Sequence, residues 1–177
     1  SIDASARVRS EMLEEIRRQL EAAGVQVEID EANGVLRLTE AAIRFGLESS
    51  ELSSEARENV ARVAEVLSRV LPDYTAGGLA PSHVETVFVE GHTDKTGRDE
   101  RNWQLSTERA VNTYALMTEL FPTLRQIRND EGKEVLSVSG YSSTRPIPGQ
   151  PVTNYDVQRR IDLRFVIEGE EEIGSPH

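Results

Sequence analysis

The chain contains no cysteine among its 177 residues. Disulfide stapling, thiolate catalysis and thiolate metal sites are therefore excluded, although the absence assigns no compartment. Apolar runs are short as well. None approaches the roughly 20 residues that a membrane span needs, and no signal-peptide pattern opens the chain. A surplus of positive charge is missing too, since 20 Lys and Arg face 31 Asp and Glu for a net charge of −11. Without a basic face to release counterions from phosphates, a nucleic-acid partner is excluded. What remains is ordinary for a globular protein: 37% hydrophobic and 29% charged residues, and enough length for one domain with a core and a small appendage. Such a chain beginning at Ser1 suits either a whole cytosolic protein or the excised soluble part of a larger one.

Periodicity divides the chain into elements. Residues 4–23 carry Val8, Met12, Leu13, Ile16 and Leu20 at spacings of three and four, which predicts a helix ending at Gly24. The stretches "VQVEI" and "VLRLT" alternate as strands around "DEANG", where Asn33-Gly34 supplies the positive φ of a tight hairpin turn. A second helix, capped by Ser53 or Ser54, places Val60, Val63, Leu67, Val70 and Leu71 on one stripe before Pro72 ends it. Three further strands follow, "HVETVFVEG", "VLSVSGY" and "RRIDLRFVI", with a helix from about Asn102 to Leu120 between the first two. The loop "STRPIPGQPVTN" before the last strand has room for an extra helical turn. In that last strand Ile161, Leu163, Phe165 and Ile167 share one face against Asp162 and Arg164.

The expected fold is thus α/β, an α+β sandwich. A βαβαβ-type mixed sheet carries helices on one face and follows an N-terminal helix and hairpin. Strands joined through helices of this length are expected to be neighbours in the sheet. Residues 1–34 read as an extension or linker, 35–168 as the main domain, and 169–177 as a solvated acidic tail that could include a remnant of expression.

Polar residue types concentrate in "VEGHTDKTGRDERNWQLSTERA", residues 89–110, where a strand passes into a helix. A nucleophilic triad of His92, Asp94 and Ser106 is disfavoured because no strained elbow surrounds Ser106. A metal site on His92 and Asp94 lacks further ligands, with His83 a strand-length away and His177 in the tail. "GHTDKTG" lacks the Gly-Lys-Ser/Thr ending of a phosphate loop and carries an aspartate where phosphate would sit. At about 100° per residue, Asn102, Ser106, Arg109 and Thr113 form one polar stripe, which is expected to face away from the sheet. Asp94 and Arg109 then lie across one cleft beside a helix N-terminus. Facing each other, they suit a zwitterion: Asp94 accepts from an ammonium, and Arg109 grips a carboxylate in its planar fork. Chemistry equally allows them to pair with one another, or Asp94 to cap its own loop.

The ordered blocks "GHTDKTG", "NWQLSTERA", "GYSSTRPI" and "QRRIDLRF" resemble the OmpA-like peptidoglycan-binding domain. That family includes domains of outer-membrane proteins, lipoproteins and MotB-type flagellar stator proteins. The resemblance covers about residues 35–167. It implies that Asp94 and Arg109 grip the diaminopimelate end of the stem peptide. Asn102 and Leu105 would line the same pocket, Thr93 its edge, and Arg159 would be a second ligand contact. It also implies a non-catalytic, cofactor-free anchor without a metal, on the periplasmic side of a membrane-anchored parent. "NW-LS--RA" with Trp103 looks nearer the MotB branch, which points to a stator-like or motor-type subunit, flagellar or of anti-phage defence, with a partner membrane subunit. Two departures stand out: Gln158 replaces the usual Asn before the paired arginines, and "FPTLRQIRNDEGKEV" is a long connection. An acidic domain gains nothing from long-range steering toward acidic stem peptides, so the expected affinity is modest and salt-sensitive. The alternative is an interaction or homodimerisation module of an envelope lipoprotein or outer-membrane protein that binds a protein partner. Met12, Ile16 and Leu20 would then form either core or a dimer seam.

Overall fold

The computed structural model describes residues 2–170, so the end of the acidic tail, 171–177, lies outside the described residues. Helix α1 (Ile2–Ala22) buries Met12, Leu13, Ile16 and Leu20 completely. These side chains join the same apolar cluster as Val60, Val63 and Leu67 of α2 (Ser54–Val70). The N-terminal stripe is therefore core and offers no dimer seam. Ser53 caps α2, its hydroxyl oxygen accepting from the Ala56 N–H at 3.1 Å. Pro72 tightens the chain into a 3₁₀ turn, Leu71–Tyr74, at the other end.

Between the two helices run β1 (Val27–Asp30) and β2 (Val35–Leu38), paired antiparallel with Asp30 opposite Val35. Only Gly34 of the Asn-Gly pair takes a positive φ, at 67°. Asn33 contributes differently: its backbone and side-chain N–H groups donate to the Asp30 carboxylate at 3.3 and 2.9 Å. No larger residue fits at Gly34, where a Cβ would stand 2.8 Å from the Phe165 carbonyl oxygen.

The remaining elements are β3 (Val84–Gly91), α3 (Asp99–Leu120), β4 (Leu136–Gly140), a short helix α4 (Tyr155–Gln158) and β5 (Ile161–Ile167). They complete one mixed sheet in the order β1-β2-β5-β3-β4, with only β3 and β4 parallel. The expectation that helix-linked strands are neighbours holds for β3 and β4 but fails for β2 and β3, between which β5 is inserted. A helix about 10 Å wide covers two strand spacings of about 4.8 Å, so the crossover through α2 leaves a slot one strand wide. β5 fills that slot antiparallel to both neighbours.

The two faces of the sheet differ in chemistry. Ile161, Leu163, Phe165 and Ile167 point into the core with Val84, Val87 and Val89. Asp162 and Arg164 point the other way, where the register sets Asp162 opposite both Arg37 and Glu90. There Arg37 Nε reaches Asp162 at 3.1 Å, Arg164 Nε reaches Glu90 at 2.7 Å, and the Arg164 guanidinium lies 4.5 Å from the Phe88 ring centroid.

α3 begins at Asp99, three residues before the start expected from periodicity. Its polar stripe also faces the opposite way from expectation. Ser106, Arg109 and Thr113 are completely buried and Asn102 nearly so. The cause lies in the strand ends. A Cβ at Gly91 would stand 1.9 Å from the Ser106 carbonyl oxygen, and one at Gly140 would stand 2.6 Å from the Thr107 N–H nitrogen. Two glycines at adjacent strand ends let the helix backbone rest on the sheet, and small polar residues fill the contact. Ser106 Oγ donates to the Trp103 carbonyl at 3.0 Å and accepts from the Ser142 N–H at 2.9 Å.

Candidate binding site

Beyond Gly91, β3 continues into an extended segment held by both neighbouring strand ends. The His92 N–H donates to the Arg160 carbonyl at 3.0 Å and the Thr93 N–H to the Ser142 carbonyl at 2.9 Å. This places Thr93 and Asp94 at the carboxyl end of the sheet, against the first turns of α3. A cavity of about 190 Å³ opens there, lined by Thr93, Asp94, Asn102, Leu105, Arg109 and Arg159 together with Leu47, Glu48, Thr96 and Gly97. All six residues singled out in the sequence thus meet at one cavity.

Asp94 does not pair with Arg109. Its Oδ1 accepts from the Thr96 N–H at 2.7 Å and from the Thr96 hydroxyl, and its Oδ2 accepts from Arg159 Nη1 at 2.8 Å. Burial pushes the Asp94 carboxyl upward, but the Thr96 and Arg159 hydrogen bonds outweigh it and hold the group below the usual carboxylate range. Asn102 stiffens the same loop, its side-chain N–H donating to the Thr96 carbonyl at 2.9 Å.

Arg109 is fixed by backbone alone. Nε donates to the Ser49 carbonyl at 2.9 Å, Nη1 to the His92 carbonyl and Nη2 to the Gly46 carbonyl, each at 3.1 Å. Its guanidinium also sits 4.8 Å from the Phe45 ring centroid. Three of its five N–H groups are thereby committed and two remain for a ligand. Arg159 is held differently, donating to the Phe45 carbonyl at 3.1 Å and to the carboxylates of Asp94 and Asp156. Burial, and then the positive charge of Arg159, push Arg109 down to about 10. Two guanidinium groups directed at one cavity repel, and a carboxylate between them relieves that repulsion.

Leu47, Glu48, Thr96 and Gly97 escaped sequence reasoning. Thr96-Gly97 carried a turn signal, and Gly97 does adopt a φ of 82°. Leu47 and Glu48 reach the site because Arg109 ties down the Gly46–Ser49 loop, through contacts 60 and 63 residues distant in the chain. Gln158 lies outside this lining: its longer side chain accepts from the Ile147 N–H at 2.9 Å and pins the loop before α4.

His92 lies behind this site, buried and stacked on Tyr141 with ring centroids 5.5 Å apart. Its Nε2 is 3.5 Å from both Glu90 and Asp162. Burial, followed by the charge of Arg160, lowers its pKa. Among the described residues, Glu90, His92 and Asp162 form a group whose ligand atoms lie within 4.8 Å of one another. The donor set does not suit a cation, because Arg37, Arg160 and Arg164 already answer both carboxylates. Trp103 is 42% exposed on the outer side of α3 and belongs to neither site nor core.

Several solved structures share the architecture. The periplasmic domain of MotB (residues 64–256) superposes with a TM-score of 0.52 at 20% identity, over 80% of this chain and 66% of that one. The periplasmic domain of Helicobacter pylori MotB (residues 78–256) gives 0.54 at 21% identity, over 79% and 80% of the two chains. The cell wall anchor of the T6SS from Pseudomonas aeruginosa gives 0.51 at 20% identity, over 90% and 94%. This chain therefore spans just under two thirds of the first of these, and at such identities the likeness is one of fold. No curated protein matches by sequence. The OmpA family model, however, matches residues 44–158, from the loop that Arg109 ties down to the glutamine before Arg159. With a match over more than half its length, enclosing nearly all of the cavity just described, the chain belongs to the OmpA family.

Proposed function

We propose that this chain is a non-catalytic peptidoglycan-binding domain that anchors its parent protein to the cell wall by gripping the diaminopimelate of the stem peptide. The observation that carries this reading is the convergence of Asp94, Arg109 and Arg159 on one small cavity. A free α-amino-acid end presents an ammonium and a carboxylate on one carbon. The carboxylate sits between the two guanidinium groups, using N–H groups left over from the contacts that hold them, and the ammonium donates to Asp94. Thr93, Asn102 and Leu105 complete the walls. Family membership and the fold shared with a cell-wall anchor and with MotB periplasmic domains support the reading. They also favour a periplasmic position and a membrane-anchored, stator-like parent with a partner membrane subunit. Among the described residues no helix is long and apolar enough to cross a membrane, so the anchor would lie elsewhere in such a parent.

Binding fits these residues better than catalysis. The Ser106 hydroxyl is spent between Trp103 and Ser142, and His92 is buried behind the cavity rather than lining it. The competing reading, dimerisation through α1, loses its seam to the core. Titration with meso-diaminopimelate, followed by amide chemical shifts, tests the zwitterion clamp. Shifts should concentrate at residues 47–48, 93–97 and 102–109, with pimelate and cadaverine at least about tenfold weaker because each lacks one charge of the pair. Equal binding of pimelate would remove Asp94 from the clamp.

A further inference from the structure

A second cavity, of about 290 Å³, opens on the face of the sheet opposite the core, between the β1–β2 turn and the loop that follows β4. Asp30, Arg37, Thr144, Arg145, Pro146 and Arg160 contribute to its lining. Arg159 and Arg160 are consecutive, yet they serve different cavities, Arg159 the site above and Arg160 this one.

The arginines here are not equally committed. Arg160 is largely spent: Nε donates to Asp162, Nη1 to the carbonyl and side chain of Gln158, and Nη2 to the Arg145 carbonyl at 2.8 Å. Arg37 is only 7% exposed and spends Nε and Nη2 on Asp162, leaving the Nη1 hydrogens uncommitted among the described residues. Arg145 makes no side-chain hydrogen bond to any described residue. It is held in place by packing over the Tyr141 ring, 4.8 Å from the centroid. One nearly buried guanidinium with spare donors and one pre-positioned guanidinium with all of its donors therefore share a cavity.

We propose that this cavity is a second ligand site, for a carboxylate borne next to a hydrogen-bond donor such as a hydroxyl. Arg37 Nη1 and Arg145 hold the carboxylate by charge-assisted hydrogen bonds. Asp30 also faces the cavity, its carboxylate fixed by Asn33 and with acceptor capacity to spare. That negative wall selects a singly charged carboxylate over a phosphate dianion and accepts the neighbouring hydroxyl. Pro146 offers an apolar rim for the ligand's carbon skeleton. The site is independent of the zwitterion clamp and stands whether or not that clamp binds diaminopimelate.

The test titrates the full chain with lactate, acetate and inorganic phosphate at constant ionic strength, following amide and arginine Nε–H shifts. The expected order is lactate, then acetate, then phosphate, with saturable shifts at residues 30–37 and 144–148. Arg145→Ala should weaken lactate binding by about tenfold or more. It disturbs no side-chain hydrogen bond among the described residues, so its thermal midpoint serves as the folding control. Asp94→Asn should leave the lactate-induced shifts at residues 30–37 and 144–148 unchanged, which separates this site from the clamp. Shifts that grow linearly without saturation, that survive Arg145→Ala, or that are largest with phosphate would each overturn the proposal.

Discussion

Replacing Arg109 by alanine should cost this protein stability before it costs binding. The side chain is completely buried and bridges three carbonyls, of His92, Ser49 and Gly46. The His92 carbonyl is buried, so its lost partner cannot be replaced by water, at about 1–3 kcal/mol. Gly46 is exposed and Ser49 half-exposed, so solvent recovers part of those two bonds and about 1 kcal/mol each is lost. Loss of the cation–π contact with Phe45 adds about 0.5–1 kcal/mol. Together these give about 3.5–6 kcal/mol, overlapping the cost of breaking a buried charged network elsewhere. In urea, with a slope of about 2 kcal/mol per M, the unfolding midpoint should fall by about 1.8–3 M. Arg109→Lys, which keeps the charge but not the fork, should recover less than half of that loss. Urea unfolding followed by circular dichroism measures both variants. A midpoint shift below about 0.5 M for Arg109→Ala would refute the claim that backbone carbonyls, and not a ligand alone, hold this side chain. It follows that Arg109 is a poor residue on which to test binding, and Asp94 a better one.

Gly91→Ala should push α3 off the end of β3, because its new methyl group would overlap the Ser106 carbonyl. A cost of about 1–3 kcal/mol lowers the thermal midpoint by about 4–10 °C, readable by calorimetry, and a shift under 2 °C would deny the close approach. His92 gives a pH dependence of opposite origin to that of Asp94. Its pKa is lowered by burial, so the unfolded chain binds the extra proton first. Stability should therefore be complete above the unfolded value of about 6.5 and fall as the pH drops below it, at up to about 1.4 kcal/mol per pH unit until the folded value is reached. Asp94, whose folded pKa is lowered, contributes stability above about 3.9 that is lost only as the pH falls through the folded value. In urea titrations across pH 7 to 5, His92→Gln should flatten the upper of these two windows, and an unchanged slope would contradict the assignment.

Much of this was legible because it rests on local pattern. The three- and four-residue spacing in α1 and α2, the alternation in β5, the serine cap and the Gly34 turn are all decided by near neighbours in the chain. The elements followed from them, and so did the placing of Asp94 and Arg109 at one cavity. Three features were not legible, and each depends on distant contacts. β5 lies between β2 and β3 because of how a crossover helix spaces strands, which no window of sequence records. The stripe Asn102, Ser106, Arg109 and Thr113 looked solvated because its composition is polar. It is buried because Gly91 and Gly140 remove side chains that belong to other elements. Asp94 found Arg159 rather than Arg109 as its partner because Arg109 is already taken by the loop at Gly46–Ser49. The same contact brought Leu47 and Glu48 to the cavity.

The central claim is that Asp94 supplies the acceptor for the ammonium of a stem-peptide diaminopimelate. Asp94→Asn keeps the size and the acceptor for Thr96 but removes the charge. Co-sedimentation with purified diaminopimelate-containing sacculi measures the consequence directly, with the thermal midpoint of the same variant as a control for folding. The account predicts that the wild-type chain pellets with sacculi and releases as salt is raised, while the folded Asp94→Asn chain stays in solution. A folded Asp94→Asn chain that pellets as well as the wild type would contradict it.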